Sequence, residues 1–350
     1  MTARSIRAVL CLALLAASLA PAPAAHALPQ NAKVQTYKGG LNFPIDMVWV
    51  RGTKKIFFTE KSGAIRVMKG RTLLQRPCAN LPVNSSGERG ALGLALHPNF
   101  KNNKKLYVYY TNALPLENRV SRFIVKRNRC TRERVVVGGL HAASATNHNG
   151  GHLEFVKGKL FVSVGENADP SRSQNTADRL GKILRVTPGG RVPAGNPFGN
   201  EVWAYGQRNP FGLASKPGTN KIYASENGPN CDDELNFIKK GRNYGWGPAY
   251  VCGTAGVGPN PKPPLVRWSQ IIVPTDPGWY KGRMPALSGD LYMGDFQGRL
   301  HRFVMNDRGN GVLEDRIIHR ADNGIVDVSK GPGKWLYFMT TNAIKRVVPK

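Results

Sequence analysis

With 50 Lys and Arg against 22 Asp and Glu, this 350-residue chain carries a formal charge of +28, so attraction to polyanions is the first question its composition raises. The basic residues are dispersed and lack the aromatic interleaving of a nucleic-acid groove; nucleic acid is excluded as the expected partner, and an anionic cell-wall polymer or a plain solubility effect is expected instead. No Cys or His spacing suits zinc.

The N-terminus reads as a secretory signal: Arg4 and Arg7, an apolar run from Ala8 to Ala20, then a small-x-small site at Ala25-His26-Ala27. The run is shorter than the roughly 20 apolar residues of a membrane span, and no later segment comes closer. Cleavage after Ala27 removes 27 of the 350 residues and leaves 323, with a charge of +26 because Arg4 and Arg7 leave. The expected location is outside the cytoplasm, with residues 28–350 as one domain.

Cys11 leaves with the signal. Cys78, Cys130, Cys231 and Cys252 remain, an even number for an oxidising compartment, and four cysteines allow three pairings. The pairing Cys78–Cys130 with Cys231–Cys252 is favoured, because the second pair brackets a short Gly-rich segment and crossed schemes join distant parts of the chain.

One pattern then recurs along the chain: an apolar stretch, a Gly, Asn or Lys turn, a short alternating strand, a second turn, and a strand ending in Arg or Lys. Taking Ile56, Leu106, Leu160, Ile222, Leu291 and Leu336 as equivalent, the spacings are 50, 54, 62, 69 and 45 residues. Units of this size holding several short strands predict an all-β, six-bladed β-propeller, in which stacking around an axis buries what one blade alone leaves open. No helical periodicity persists long enough to predict a long helix. The extra length of the third and fourth units, residues 167–180 and 241–268, is expected to be loop that shapes a site on one face.

Three constellations along these units could carry chemistry. His148 stands between Asn147 and Asn149-Gly150-Gly151, just before the third unit, where an imidazole can act as general base and the glycines allow close approach of a ligand. His152 lies four residues on, but a ligand pair at that spacing needs a helix, which this segment does not resemble. Arg208 and Asn209 sit in a turn set by Pro210 and Gly212, and suit an anionic or quinone oxygen. Gly228-Pro229 followed by Asp232, Asp233 and Glu234 offers carbonyl and carboxylate oxygens to a hard cation such as Ca²⁺.

Taken in order, Gly87-Glu88-Arg89-Gly90 with His97-Pro98, His148 to Leu153, Gly165-Glu166, Gly181 to Arg185, Arg208-Asn209-Pro210, Gly228-Pro229 with Asp232-Asp233-Glu234, and Gly241 to Trp246 resemble the soluble glucose/sorbosone dehydrogenase family. The resemblance spans about residues 40 to 348. It implies a six-bladed propeller that uses pyrroloquinoline quinone (PQQ) and Ca²⁺ to oxidise the anomeric hydroxyl of a sugar to a lactone. It implies His148 as base, Glu166 holding the imidazole tautomer where the family pattern has Asp, Arg208 and Asn209 on the quinone, and the Gly228 and Pro229 carbonyls on Ca²⁺. Glu88 stands where well-known members have Gln at the cofactor. The family's Lys and Arg clamp on the cofactor carboxylates is replaced at or near Phe296, Gly324 and Val326. Two alternatives stand beside this reading: a propeller of the same fold without the redox cofactor that binds carbohydrate or protein, and a calcium-dependent lactonase, an activity of other six-bladed propellers.

Overall fold

The computed structural model describes residues 27–142 and 145–350; all but the last residue of the expected signal segment therefore lie outside the described residues. Six antiparallel sheets surround one axis. From the axis outward, blade 1 is Pro44–Trp49, Lys55–Glu60, Ala64–Lys69 and Thr72–Leu73, with Ala79–Asn80 also on its third strand. Blade 2 is Ala91–Leu96, Lys105–Asn112, Glu117–Lys126 and Arg129–His141; blade 3 is Gly150–Val156, Lys159–Val164, Lys182–Val186 and Val202–Tyr205. Blade 4 is Pro210–Ser215, Ile222–Glu226, Asp233–Ile238 and Val266–Trp268, and blade 5 is Pro274–Tyr280, Asp290–Asp295, Arg299–Met305 and Val312–Arg320. Blade 6 runs Ile325–Lys330, Leu336–Thr340, Ala343–Pro349, and takes its outermost strand, Ala32–Gly39, from the other end of the chain. Each inner strand touches those of both neighbouring blades, so the ring closes.

The six apolar positions that set the repeat all fall on the second strand of their blades and are buried. That strand is covered by sheet neighbours on both edges and by adjacent blades on both faces, so it reads as an apolar run rather than an alternation. Between blades 1 and 2, for example, Phe57, Leu94, Leu106, Val108, Phe123 and Val125 form one buried cluster. Each such side chain contributes about 1.5–3 kcal/mol by leaving water.

Both expected disulfides are present. Cys78–Cys130 ties the end of blade 1 to the outer strand of blade 2, and Cys231–Cys252 ties the turn after Ile222–Glu226 to the long insert of blade 4. The insert is not loop throughout, as the sequence suggested: Val266–Trp268 pairs with Asp233–Leu235 as the blade's outer strand. The helical content is slight, the one α-helix among the described residues being Phe100–Asn103.

Candidate active site

In antiparallel blades the start of an inner strand and the end of its neighbour lie at one end of the sheet. His148, before Gly150–Val156, and Glu166, after Lys159–Val164, therefore meet on one face of the ring. The Nδ1 of His148 lies 2.9 Å from Glu166 Oε1, and both side chains are buried. An ionised carboxylate can only accept, so Nδ1 carries the proton and Nε2 keeps a lone pair. The other contact agrees: Asn147 Nδ2, a donor, is 3.2 Å from Nε2. His148 adopts φ +55°, and a Cβ at Gly165 would stand 2.0 Å from the His148 carbonyl oxygen; glycine there lets the two turns touch.

Glu88 links this turn to the next blade, since its Oε2 accepts from the His148 backbone N–H (2.8 Å) and from Asn209 Nδ2 (3.1 Å). Asn209 Oδ1 in turn accepts from Gly150 N–H, 3.0 Å, and the Glu166 N–H donates to the Arg208 carbonyl, 2.8 Å. The four side chains singled out in three separate blade entries thus form one bonded assembly. The Arg208 guanidinium donates from Nη1 to the Asn227 carbonyl and stands 5.3 Å from the Trp246 ring centre. Burial lowers its pKa, and the carboxylates of Glu166, Glu226, Glu88 and Asp233 oppose that shift.

A small cavity of about 20 Å³ lies beside Gly228 and Pro229, lined also by Arg208, Glu226, Asp232, Glu234 and Trp246. Glu226 was not among the residues the sequence singled out. Its Oε1 accepts the backbone N–H groups of Arg208 and Asn209 (2.9 and 2.5 Å), while its buried Oε2 has no partner among the described residues. Asp233 acts on the backbone: Oδ1 accepts from Gly228 N–H, and Oδ2 from Ile272 and Val273 N–H. Asp232 Oδ2 accepts from the Tyr250 hydroxyl and Gly253 N–H, and Glu234 lies beside Arg267, 3.5 Å, with burial raising its pKa to about 7.

The structure gives the surroundings of Phe296, Gly324 and Val326, the positions aligned with the family's clamp. Phe296 is half exposed, Val326 is buried in the blade 6 inner strand, and a Cβ on Gly324 would stand 2.9 Å from the Phe296 carbonyl oxygen. Of the neighbouring cations, Arg299 pairs with Asp295, Arg302 with Asp290 at 2.7 Å, and Lys330 lines the far end of the central channel. Among the described residues lining the cavities beside Glu88–Asn209 and beside Gly228–Pro229, Arg208 is the one Lys or Arg; a further cavity at this face, between His141 and Leu180, is lined by Arg172 and Arg179.

The model of the glucose/sorbosone dehydrogenase family matches residues 41–348. The chain belongs to that family. Among the family's characterised relatives it is 30% identical to the aldose sugar dehydrogenase YliI of Escherichia coli K12 over 341 residues, covering 90% of this chain and 91% of that one. It is 30% identical to quinoprotein glucose dehydrogenase B of Acinetobacter calcoaceticus over 272 residues, 65% of this chain and 55% of the other. The PQQ-bound aldose sugar dehydrogenase of Streptomyces coelicolor superposes with a TM-score of 0.80 at 27% identity, covering 92% of this chain and 99% of the other.

Proposed function

We propose that this chain is an exported aldose dehydrogenase that uses PQQ and Ca²⁺, with His148 as general base. The observation that carries the reading is the His148 tautomer: Glu166 on Nδ1 and Asn147 on Nε2 leave the lone pair on the nitrogen away from the carboxylate. His148 Nε2 takes the proton of the anomeric hydroxyl as C1 gives up its hydride, and the sugar leaves as a lactone. Glu166 then stabilises the imidazolium it faces. Arg208 and Asn209 bind and orient, and the guanidinium offsets negative charge that develops beside it. When bound, the quinone would supply the two-electron acceptor and Ca²⁺ the Lewis acid that polarises it.

The residues present fit a cation. Gly228, Pro229 and Glu226, whose Oε2 has no partner among the described residues, line one cavity, with Asp232, Asp233 and Glu234 shaping the loop around it. Two disulfides support export to an oxidising compartment, with the signal ending at Ala27. The exposed Arg129, Arg132 and Arg134 on the outer strand of blade 2 support an anionic cell-wall polymer as partner.

A second reading, a propeller that binds carbohydrate or protein without the redox cofactor, is favoured by Arg208 being the one Lys or Arg among the described residues that line the cavities beside Glu88–Asn209 and Gly228–Pro229. Absorbance titration of the calcium-loaded protein with PQQ separates the two. Saturable binding and bleaching on adding an aldose are expected; no binding at high micromolar PQQ would reject the dehydrogenase.

A further inference from the structure

Deeper along the axis lies a second polar cluster, which the chemistry above does not use. Blade 1 contributes Asp46, blade 3 His152, blade 5 Asp276 and blade 6 Asp327, all more than nine-tenths buried. His152 Nδ1 lies 3.1 Å from Asp276 Oδ1 and 3.6 Å from Asp46 Oδ2. Ligand atoms of Asp46, His152 and Asp276 all fall within 4.8 Å of one another.

Part of each carboxylate has a structural use. Asp46 Oδ2 accepts from Leu94 N–H (2.6 Å), Asp276 Oδ1 from Leu213 N–H (3.0 Å) and Asp327 Oδ2 from Met47 N–H (2.9 Å), each on a neighbouring blade. These bonds fasten the inner strands together, a further hydrogen bond joins the carboxyl groups of Asp276 and Asp327 through a shared proton, and no Lys or Arg among the described residues pairs with Asp46, Asp276 or Asp327. Three carboxyl groups gathered in a buried channel with no Lys or Arg beside them are costly to ionise. An independent observation concerns the imidazole: the His152 backbone N–H donates to Ser163 Oγ, and the ring turns Nδ1, the nitrogen a cation would need, toward both Asp46 and Asp276. Two cavities, of about 380 and 30 Å³, also meet at Asp46, His152 and Asp276, one opening toward the far face and the other toward Glu88 and Asn209.

We infer that the propeller axis binds a first-row divalent cation between Asp46, His152 and Asp276. Two carboxylates with one imidazole suit Mn²⁺ or Zn²⁺, whereas Ca²⁺ favours an all-oxygen shell. The ion balances the buried charge and joins blades 1, 3 and 5 across the axis.

The test uses the whole protein, stripped with chelator and then held in excess Ca²⁺, so that the Gly228–Pro229 loop does not compete for the probe. Titration with Mn²⁺, followed by electron paramagnetic resonance, is expected to show one tight Mn²⁺ per chain. Asp276→Asn and His152→Gln should each weaken it at least ~10-fold. Because Asp276→Asn removes a strand fastener and can impair folding, His152→Gln, which leaves all three fasteners intact, carries the comparison. Anomalous diffraction from Mn²⁺-soaked wild-type crystals should place the ion between the three residues. Absence of Mn²⁺ and Zn²⁺ binding, equal binding by His152→Gln, or an anomalous peak elsewhere would overturn the inference and leave shared protons to balance the cluster. Activity is not the readout, so failure here is separate from failure of the dehydrogenase reading.

Discussion

Glu166 Oε1 sits 2.9 Å from His148 Nδ1, and the second oxygen of the same carboxylate accepts the Asp169 N–H at 3.0 Å. The carboxylate is thus held at both ends before it meets the imidazole. Replacing His148 by Gln should lower kcat about 100- to 10,000-fold with PQQ affinity unchanged. Glu166→Gln should act on kcat in the same direction, because an amide N–H facing Nδ1 favours the tautomer with its proton on Nε2. Steady-state kinetics on PQQ-loaded variants checks both, and more than half the wild-type kcat in His148→Gln would remove the base assignment.

Cys231–Cys252 fastens the turn that carries Gly228 and Pro229 to the segment carrying Tyr250, whose hydroxyl donates to Asp232 at 2.7 Å. Mild reduction, or the double Ser variant, should weaken Ca²⁺ affinity on the order of tenfold while circular dichroism still reports a folded propeller. Calcium affinity that falls only together with the folded signal would argue against this coupling.

Phe296 marks where a cation could strengthen the cofactor site. Phe296→Lys should tighten PQQ binding by about 1.5 kcal/mol, the low end for a charge-assisted contact because the position is half exposed. Gly324→Arg is a poorer probe, since its Cβ would press on the Phe296 carbonyl. Fluorescence titration of the Phe296→Lys protein gives the answer, and unchanged affinity would mean that this loop does not face the cofactor.

Lys182 is fully buried, its Nζ donating to the carbonyls of Arg172 (2.8 Å) and Leu180 (2.6 Å), and burial lowers its pKa to about 7. Between about pH 7 and its ordinary value near 10.5 the unfolded chain holds this proton and the folded one does not, so stability rises with pH across that window. Denaturant midpoints at pH 7 and 9.5 should show a gain on the order of 2 kcal/mol or more in wild type that is absent in Lys182→Met. Parallel pH slopes in the two proteins would show that Lys182 stays charged.

The repeat was legible because Ile56, Leu106, Leu160, Ile222, Leu291 and Leu336 sit on strands buried from every side. The outer strands were not. Thr72–Leu73 and Val266–Trp268 are short and partly exposed, and Ala32–Gly39 has its partner at the opposite end of the chain. His148, Glu166, Arg208 and Asn209 were legible through their turns and their resemblance to a family. Glu226 was missed because what singles it out is the pair of backbone N–H groups converging on it from another strand. The axial cluster was invisible for a related reason: Asp46, His152, Asp276 and Asp327 each stand alone in their own segment, and only ring closure brings them together.

The seam in blade 6, where Ala32 pairs with Pro349 and Gly39 with Ala343, has a consequence for how the molecule is made. During synthesis the strand needed to seal the circle emerges first and waits for the last-made strand to arrive. Until then the growing polypeptide is an open fan with two unsatisfied edges, and neither the axial acids of blades 1, 5 and 6 nor the channel between them has an enclosed form. Once sealed, Asn31 and Lys350 lie side by side on one outer rim, the Lys350 N–H donating to the Asn31 carbonyl. A short linker across that rim, with new ends cut in a turn between any other two blades, should therefore give a permuted protein with the same ring and the same sites.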